Sequence, residues 1–474
     1  MITEILARDG LAQAQAIAQG DMTAAELLEA AIARAEATNP RLNFIAQPMF
    51  DRARAAAKTP FSGPFAGVPF VVKDLHMAIP GERMGEGSRL WADARADYTS
   101  TLYSRYLAAG LNTFAKTTTP EFGLTVTTES AATGLTRNPW NLAHSAGGSS
   151  GGAACAVAAG VVALAHASDG GGSIRCPAAA CGMFGLKPSR GRVPMGPKGT
   201  EGWLGLGVVH AVTRSVRDSA ALLDASHGPE NGSRYTAPTP EFSFLSEVTR
   251  APGVLRVAVM QRAITGVPVH PDVLAALDDT ARLLERLGHH VEIAQPVLDG
   301  AALGEAMVAA IGAATAFEIA ERLKAIGRDD AGDSIEPVTA MFAHLGRNTT
   351  GPQVMAASAL FQTAAITVAD FMDGFDIILS PVFAQPPIEL GKIDLSPTDM
   401  AEWTANILGY SPFTALANWT GQPAMSLPLG MSSTGLPIGV MAMGRYGAEG
   451  LLYRLAGQIE RSAPWEARRP PLSI

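Results

Sequence analysis

Cysteine is scarce in this 474-residue chain: Cys155, Cys176 and Cys181 are an odd number, with no CxxC pair. That excludes a cysteine-based zinc site and a disulfide framework and suits a reducing compartment, so a cytoplasmic location is expected. Charge is also sparse, at 17% of residues, with 36 Lys and Arg against 44 Asp and Glu for a net charge of −8. There is no Lys/Arg run and no aromatic–basic stripe, so no nucleic-acid partner is expected. The nine histidines are scattered and HExxH is missing, so no metal is expected. The opening "MITEILARDG" has neither a basic n-region nor an apolar h-region, and no secretory signal is expected. The longest apolar run, "AACAVAAGVVALA" (153–165), is too short and too rich in alanine and glycine to span a bilayer, so no membrane partner is expected. Nucleotide signatures are missing: GxxxxGK[ST] does not occur, and neither "GGSSGG" (147–152) nor "GGGSIR" (170–175) fits GxGxxG. The GxSxG elbow fails at Ser173, where Arg175 replaces the second glycine, and no lysine has a serine three residues before it. No organic cofactor is expected.

What the chain does have is glycine, 49 residues of it, among 47% hydrophobic residues. Amphipathic and apolar segments alternate. Helices are predicted at 21–40, with Thr23 and Glu26 in capping-box spacing and Pro40 closing it, and at 100–109, 213–226, 270–287, 301–327, 352–374 and 448–462. Strands are predicted at 66–75, over "LNTFAKTTTP", at 161–167, 255–260, 289–295, 375–381, 422–430 and 436–444. Length alone suggests about three domains at roughly 150 residues each, but no linker or repeat divides the chain. The pattern predicts α/β architecture: one large domain with a mixed, mostly buried central sheet covered by helices on both faces.

The chemistry concentrates in "SDGGGSIRCP" (168–177), directly after the apolar "VVALAHA". Glycine is entropically costly, yet three precede Ser173 at a strand exit, where open α/β sheets bind ligands. Their amides, free of Cβ, can converge on an oxyanion, helped by the dipole of the alanine-rich helix that follows. The plainer reading is a tight turn with Ser173 as N-cap, the commoner use of such a sequence. A serine nucleophile needs a base. Among the lysines, Lys73 alone ends a clearly apolar strand, where desolvation lowers its pKa; a snorkelling lysine fits the same spacing. His144, His166 and His210 lie near these segments and offer a Ser–His alternative.

Taken together, "VVKD" at 71–74, "AGGSSGGAACAVAAG" at 146–160 and "DGGGSIRCPAAACGMFGLKPSRG" at 169–191 closely resemble the amidase signature family. The resemblance runs to "GQPAMSLPLGMSSTGLPIGV" near the C-terminus and so covers essentially the whole chain. It implies a signature core over about 66–220 and a variable pocket region over about 230–415. It also implies a nucleophile at Ser173, a serine on a cis peptide at Ser149 and a lysine at Lys73. The oxyanion amides fall on Gly170, Gly171, Gly172 and Ser173. Gly170 departs from the pattern, since many members carry a larger apolar residue there, and Cys176 stands where aromatic or aliphatic residues are usual. Asp169 and Arg175 are read as braces of the loop.

The segments "TRNPWNL", "GQPAMSLPLGMSS" and "PWEARRPPL" look most like the branch that hydrolyses 6-aminohexanoate cyclic dimer and like the urethane-cleaving amidases near it. The resemblance therefore implies a serine hydrolase acting on C–N acyl bonds through an acyl-enzyme, with a small-molecule amide or carbamate as its partner. Pocket walls are expected around 190–210, 305–345 and 395–415, whose apolar sequences favour neutral, hydrophobic or aromatic substrates. Two alternatives share the fold: the amidase subunit of a tRNA-dependent amidotransferase, and a non-catalytic binding protein.

Overall fold

The computed structural model describes residues 2–472. One mixed sheet of eleven strands organises the chain as a single α/β domain, as the alternation of segments predicts. From one edge to the other the strands are Ile45–Pro48, Asn112–Thr117, Pro69–Lys73, Leu164–Asp169, Val208–Thr213, Phe184–Lys187, Ala424–Met431, Pro437–Gly444, Ile377–Pro381, Arg256–Val259 and His290–Ile293. Pro69–Lys73 runs parallel to both Asn112–Thr117 and Leu164–Asp169. Val208–Thr213, Phe184–Lys187, Ala424–Met431 and Pro437–Gly444 then follow antiparallel to one another, and parallel pairing returns at Ile377–Pro381, Arg256–Val259 and His290–Ile293. Pro69–Lys73 and Asn112–Thr117 are buried at every position; the first therefore reads as a continuous apolar run up to Lys73, whereas the second carries Asn112, Thr113, Lys116 and Thr117 into the interior.

Helix and strand signals act where the sequence places them, with several differences. Thr23 and Glu26 form the reciprocal capping box of Ala24–Leu42. Pro40 does not close this helix, which continues to Leu42 and ends at Asn43 in the left-handed conformation. The N–H that Pro40 lacks would have met the carbonyl of Glu36, which lies on the exposed side. The strand expected at 161–167 begins only at Leu164, because residues 159–163 make the turn leaving the helix Gly151–Ala158. Gly10–Gln19, Pro337–Asn348 and Met400–Tyr410 are helices, and Phe184–Lys187 and Val208–Thr213 strands, not predicted from sequence.

Gly300–Ile326 and Gly351–Phe371 are long and apolar enough, by length and composition, to cross a membrane, a feature missed by considering 153–165 alone. In the fold Gly300–Ile326 packs against Pro337–Asn348 and Gly351–Phe371. It also contributes Met307, Val308 and Ile311 to a cavity wall.

Candidate active site

Three adjacent pieces of backbone meet above the sheet. Lys73 is the last residue of Pro69–Lys73. Ser149 follows a cis Gly148–Ser149 peptide just ahead of Gly151–Ala158. Ser173 lies between the strand Leu164–Asp169 and the helix Arg175–Cys181. Lys73 is fully buried, and its Nζ donates to Ser149 Oγ at 2.7 Å and to Ser168 Oγ at 2.9 Å. Burial pushes the lysine down to about 7, against the opposing pull of Asp169 and Glu86. A snorkelling lysine would hold its ammonium in water; this one is enclosed and hydrogen-bonded to hydroxyls.

Ser173 is not an N-cap, since the cap position of Arg175–Cys181 is Ile174 and carries no side-chain bond. The preceding loop is shaped by Asp169, whose carboxylate accepts from the amides of Gly172 at 2.8 Å and Ile174 at 3.1 Å, and from Arg175 Nε at 3.0 Å and Nη2 at 2.9 Å. Burial works to raise the Asp169 carboxyl, and the Arg175 guanidinium beside it overrides that and holds it at about 2. Asp169 and Arg175 therefore stand as the braces expected of them. Gly172 has φ 143°, and a Cβ there would lie 2.4 Å from Thr414 Oγ1, so the position admits only glycine.

The four expected oxyanion donors divide. The Gly172 amide is spent on Asp169, which corrects its assignment. No acceptor among the described residues meets the amides of Gly170, Gly171 or Ser173.

The histidines take structural places. His166 Nδ1 accepts from the Lys73 amide at 3.2 Å, and burial together with the charges of Lys73 and His210 pushes its pKa down to about 3. His210 pairs with Ser219 Oγ through Nε2 at 3.0 Å and is pushed down to about 4 by burial. His144 forms a backbone β-bridge with Glu389 and lines a different cavity. Sequence reasoning missed Ser168, two positions from His166 and so on the same strand face, and Asn418. The Asn418 Nδ2 donates to Asp169 O and Oδ1, and its Oδ1 accepts from Arg175 Nη2 at 2.7 Å.

Two cavities meet at Ser173, and Gly123 and Trp203 line both. The smaller, about 80 Å³, reaches Ser149, His166 and Ser168. The larger, about 560 Å³, is walled by Leu124, Met307, Ile311, Trp403 and Ile407. All three segments expected as pocket walls contribute to one or the other.

The amidase family model matches residues 26–453. The 6-aminohexanoate-cyclic-dimer hydrolase of Pseudomonas sp. (strain NK87) is 39% identical over 477 residues, covering 98% of this chain and 97% of that protein. A solved structure of 6-aminohexanoate cyclic dimer hydrolase complexed with substrate superposes with a TM-score of 0.95 at 38% identity, covering 98% of this chain and 99% of the other. A bacterial aryl acylamidase described as belonging to the amidase signature enzymes superposes with a TM-score of 0.88 at 27% identity, over 98% and 99% of the two chains. With sheet, loop and sequence in agreement across nearly its full length, this chain belongs to the amidase signature family.

Proposed function

We propose that this protein is an amidase that cleaves C–N acyl bonds through an acyl-enzyme on Ser173, with Ser149 relaying protons to and from Lys73. The observation that carries the proposal is the 2.7 Å bond from Lys73 Nζ to Ser149 Oγ, made by a fully buried lysine whose pKa sits near 7. A neutral amine there accepts a proton through Ser149 as Ser173 Oγ attacks the carbonyl carbon. The amides of Gly170, Gly171 and Ser173 receive the negative oxygen of the tetrahedral intermediate. The C–N bond then breaks as the same proton returns through Ser149 to the leaving nitrogen. Water, deprotonated by the same path, attacks the ester and releases the acid and Ser173. Every proton is accounted for by Lys73, and no cofactor enters.

The apolar wall of the larger cavity supports neutral, hydrophobic or aromatic substrates. The relatives named for a cyclic dimer of 6-aminohexanoate and for aryl acylamides support amides of both kinds. Carbamates carry the same acyl C–N bond and fall within the proposal. The test ranks anilides, linear and cyclic aliphatic amides and aryl carbamates by kcat/KM. Ser173→Ala is expected to abolish turnover of all of them with unchanged circular dichroism. Substantial hydrolysis by a folded Ser173→Ala protein would remove Ser173 as nucleophile.

A further inference from the structure

Trp203 stands between the two cavities that meet at Ser173, and its indole fills the space that any side chain on Gly170 would need. A Cβ at Gly170 would lie 2.7 Å from both Cε3 and Cζ3 of the ring. Gly170 is not in the left-handed region, so its backbone accepts alanine; the indole is what excludes the methyl group. Trp203 and Leu204 have φ of 51° and 56°, a conformation that bulky residues keep only where their surroundings enforce it. Here Arg190 enforces it, donating from Nε to Gly205 O at 2.5 Å and from Nη2 to Asn418 O at 2.8 Å. The Asn418 Nδ2 donates to Leu206 O and to Asp169 O, each at 3.1 Å. One side-chain amide thus ties the loop carrying Trp203 to the residue just before Gly170.

We propose that Trp203 is the specificity-determining partition of the site, with the acyl part of the substrate in the larger cavity and the amine part in the smaller. The proposal rests on the Ser173 reading above, and the assignment of sides follows from the proton. The leaving nitrogen takes its proton from Ser149, and among the described residues Ser149 lines the smaller cavity and not the larger. The smaller cavity also presents the Glu318 carboxylate, which suits an amine that departs and becomes an ammonium ion. The larger one has the volume and apolar wall for an extended acyl chain.

Two amide series test this: one amine with acyl groups from acetyl to octanoyl, and one acyl group on methylamine, aniline and naphthylamine. The wild-type protein is expected to accept the longer acyl groups and to lose kcat/KM as the amine grows. Trp203→Ala is expected to raise the naphthylamide-to-methylamide ratio of kcat/KM by about tenfold or more, the scale of a pocket wall losing several carbons. Gly170→Ala is expected to lower kcat/KM about tenfold by displacing the indole, and Gly170→Ala/Trp203→Ala to return within about threefold of Trp203→Ala, since the two groups compete for one space. Fluorophosphonate labelling of Ser173 is followed in every variant and shows that the site is formed. A wild-type protein that is not labelled at Ser173 would overturn the nucleophile and the partition with it. Labelled variants with an unchanged amine ratio, or without recovery in the double variant, would overturn the partition alone.

Discussion

Lys73→Arg keeps a cation at the end of Pro69–Lys73 and removes the one property the proposed relay needs, a side chain that loses its proton near neutrality. Burial depresses Lys73 from 10.5 to about 7, with Asp169 and Glu86 pulling the other way. At pH 8 the amine is then about nine-tenths neutral, against roughly 0.3% at its ordinary value. Arginine stays charged at every working pH, so the variant is expected to lose the whole contribution of the base, about 10²–10⁴ in kcat/KM. The wild-type protein should show a single acidic limb on a neutral substrate, falling about tenfold per pH unit below about pH 7.

A second buried lysine, Lys187, is also pushed down to about 7, chiefly by burial and then by Arg175, so the limb needs a control. Lys187→Met should keep the limb in place, because Lys187 Nζ donates to Pro188 O and not to a serine of the site. The linkage has a definite sign as well. Between about pH 7 and 10.5 the unfolded chain holds a proton on Lys73 that the folded chain does not, so this group adds stability as pH rises through that window. The assay is kcat/KM from pH 5 to 9 for the three proteins, with thermal melts to show that each is folded. Wild-type rates in Lys73→Arg, a profile flat down to pH 5, or a limb that vanishes in Lys187→Met would each refute Lys73 as the base.

The serine pair separates by its partners. Ser149→Ala cuts the path from Lys73 and should cost about 10²–10⁴ in kcat/KM. Ser150 Oγ instead donates to Ser168 O and accepts from Ser168 N, so Ser150→Ala should lower stability by about 1–2 kcal/mol and leave most of the turnover. Turnover measured beside denaturant titrations checks both, and reversed severities would mean that the relay runs through Ser150. Asp169→Asn leaves Arg175 charged and fully enclosed, and should cost on the order of 3–5 kcal/mol, read as a fall in Tm. An unchanged Tm would show that the pair does not brace the loop.

Much of this protein is legible in the sequence because it rests on local rules. The capping box at Thr23 and Glu26 and the fully apolar strand ahead of Lys73 declare themselves within a few residues. So do the small-residue runs around Ser149 and Ser173, where neighbouring residues and fixed spacing carry the signal. Tertiary structure decided whatever depends on which group arrives from elsewhere. "DGGGS" offers four amides alike, yet the Asp169 carboxylate turns Gly172 inward and leaves Gly170, Gly171 and Ser173 without an acceptor among the described residues. The proposal of Lys73 in place of a histidine rests on the depth of burial and on the direction of His166 Nδ1, which points at a backbone amide from another strand. Pro40 is read locally as a helix end, and the helix runs past it because the carbonyl it leaves unpaired lies on the exposed side. Asn418 and Trp203 act on residues 249 and 33 positions away in the chain, at Asp169 and Gly170, and no periodicity encodes such a meeting. Spacing along a chain records neighbours on one element, whereas hydrogen bonds and close contacts between elements exist only once the sheet has brought them together.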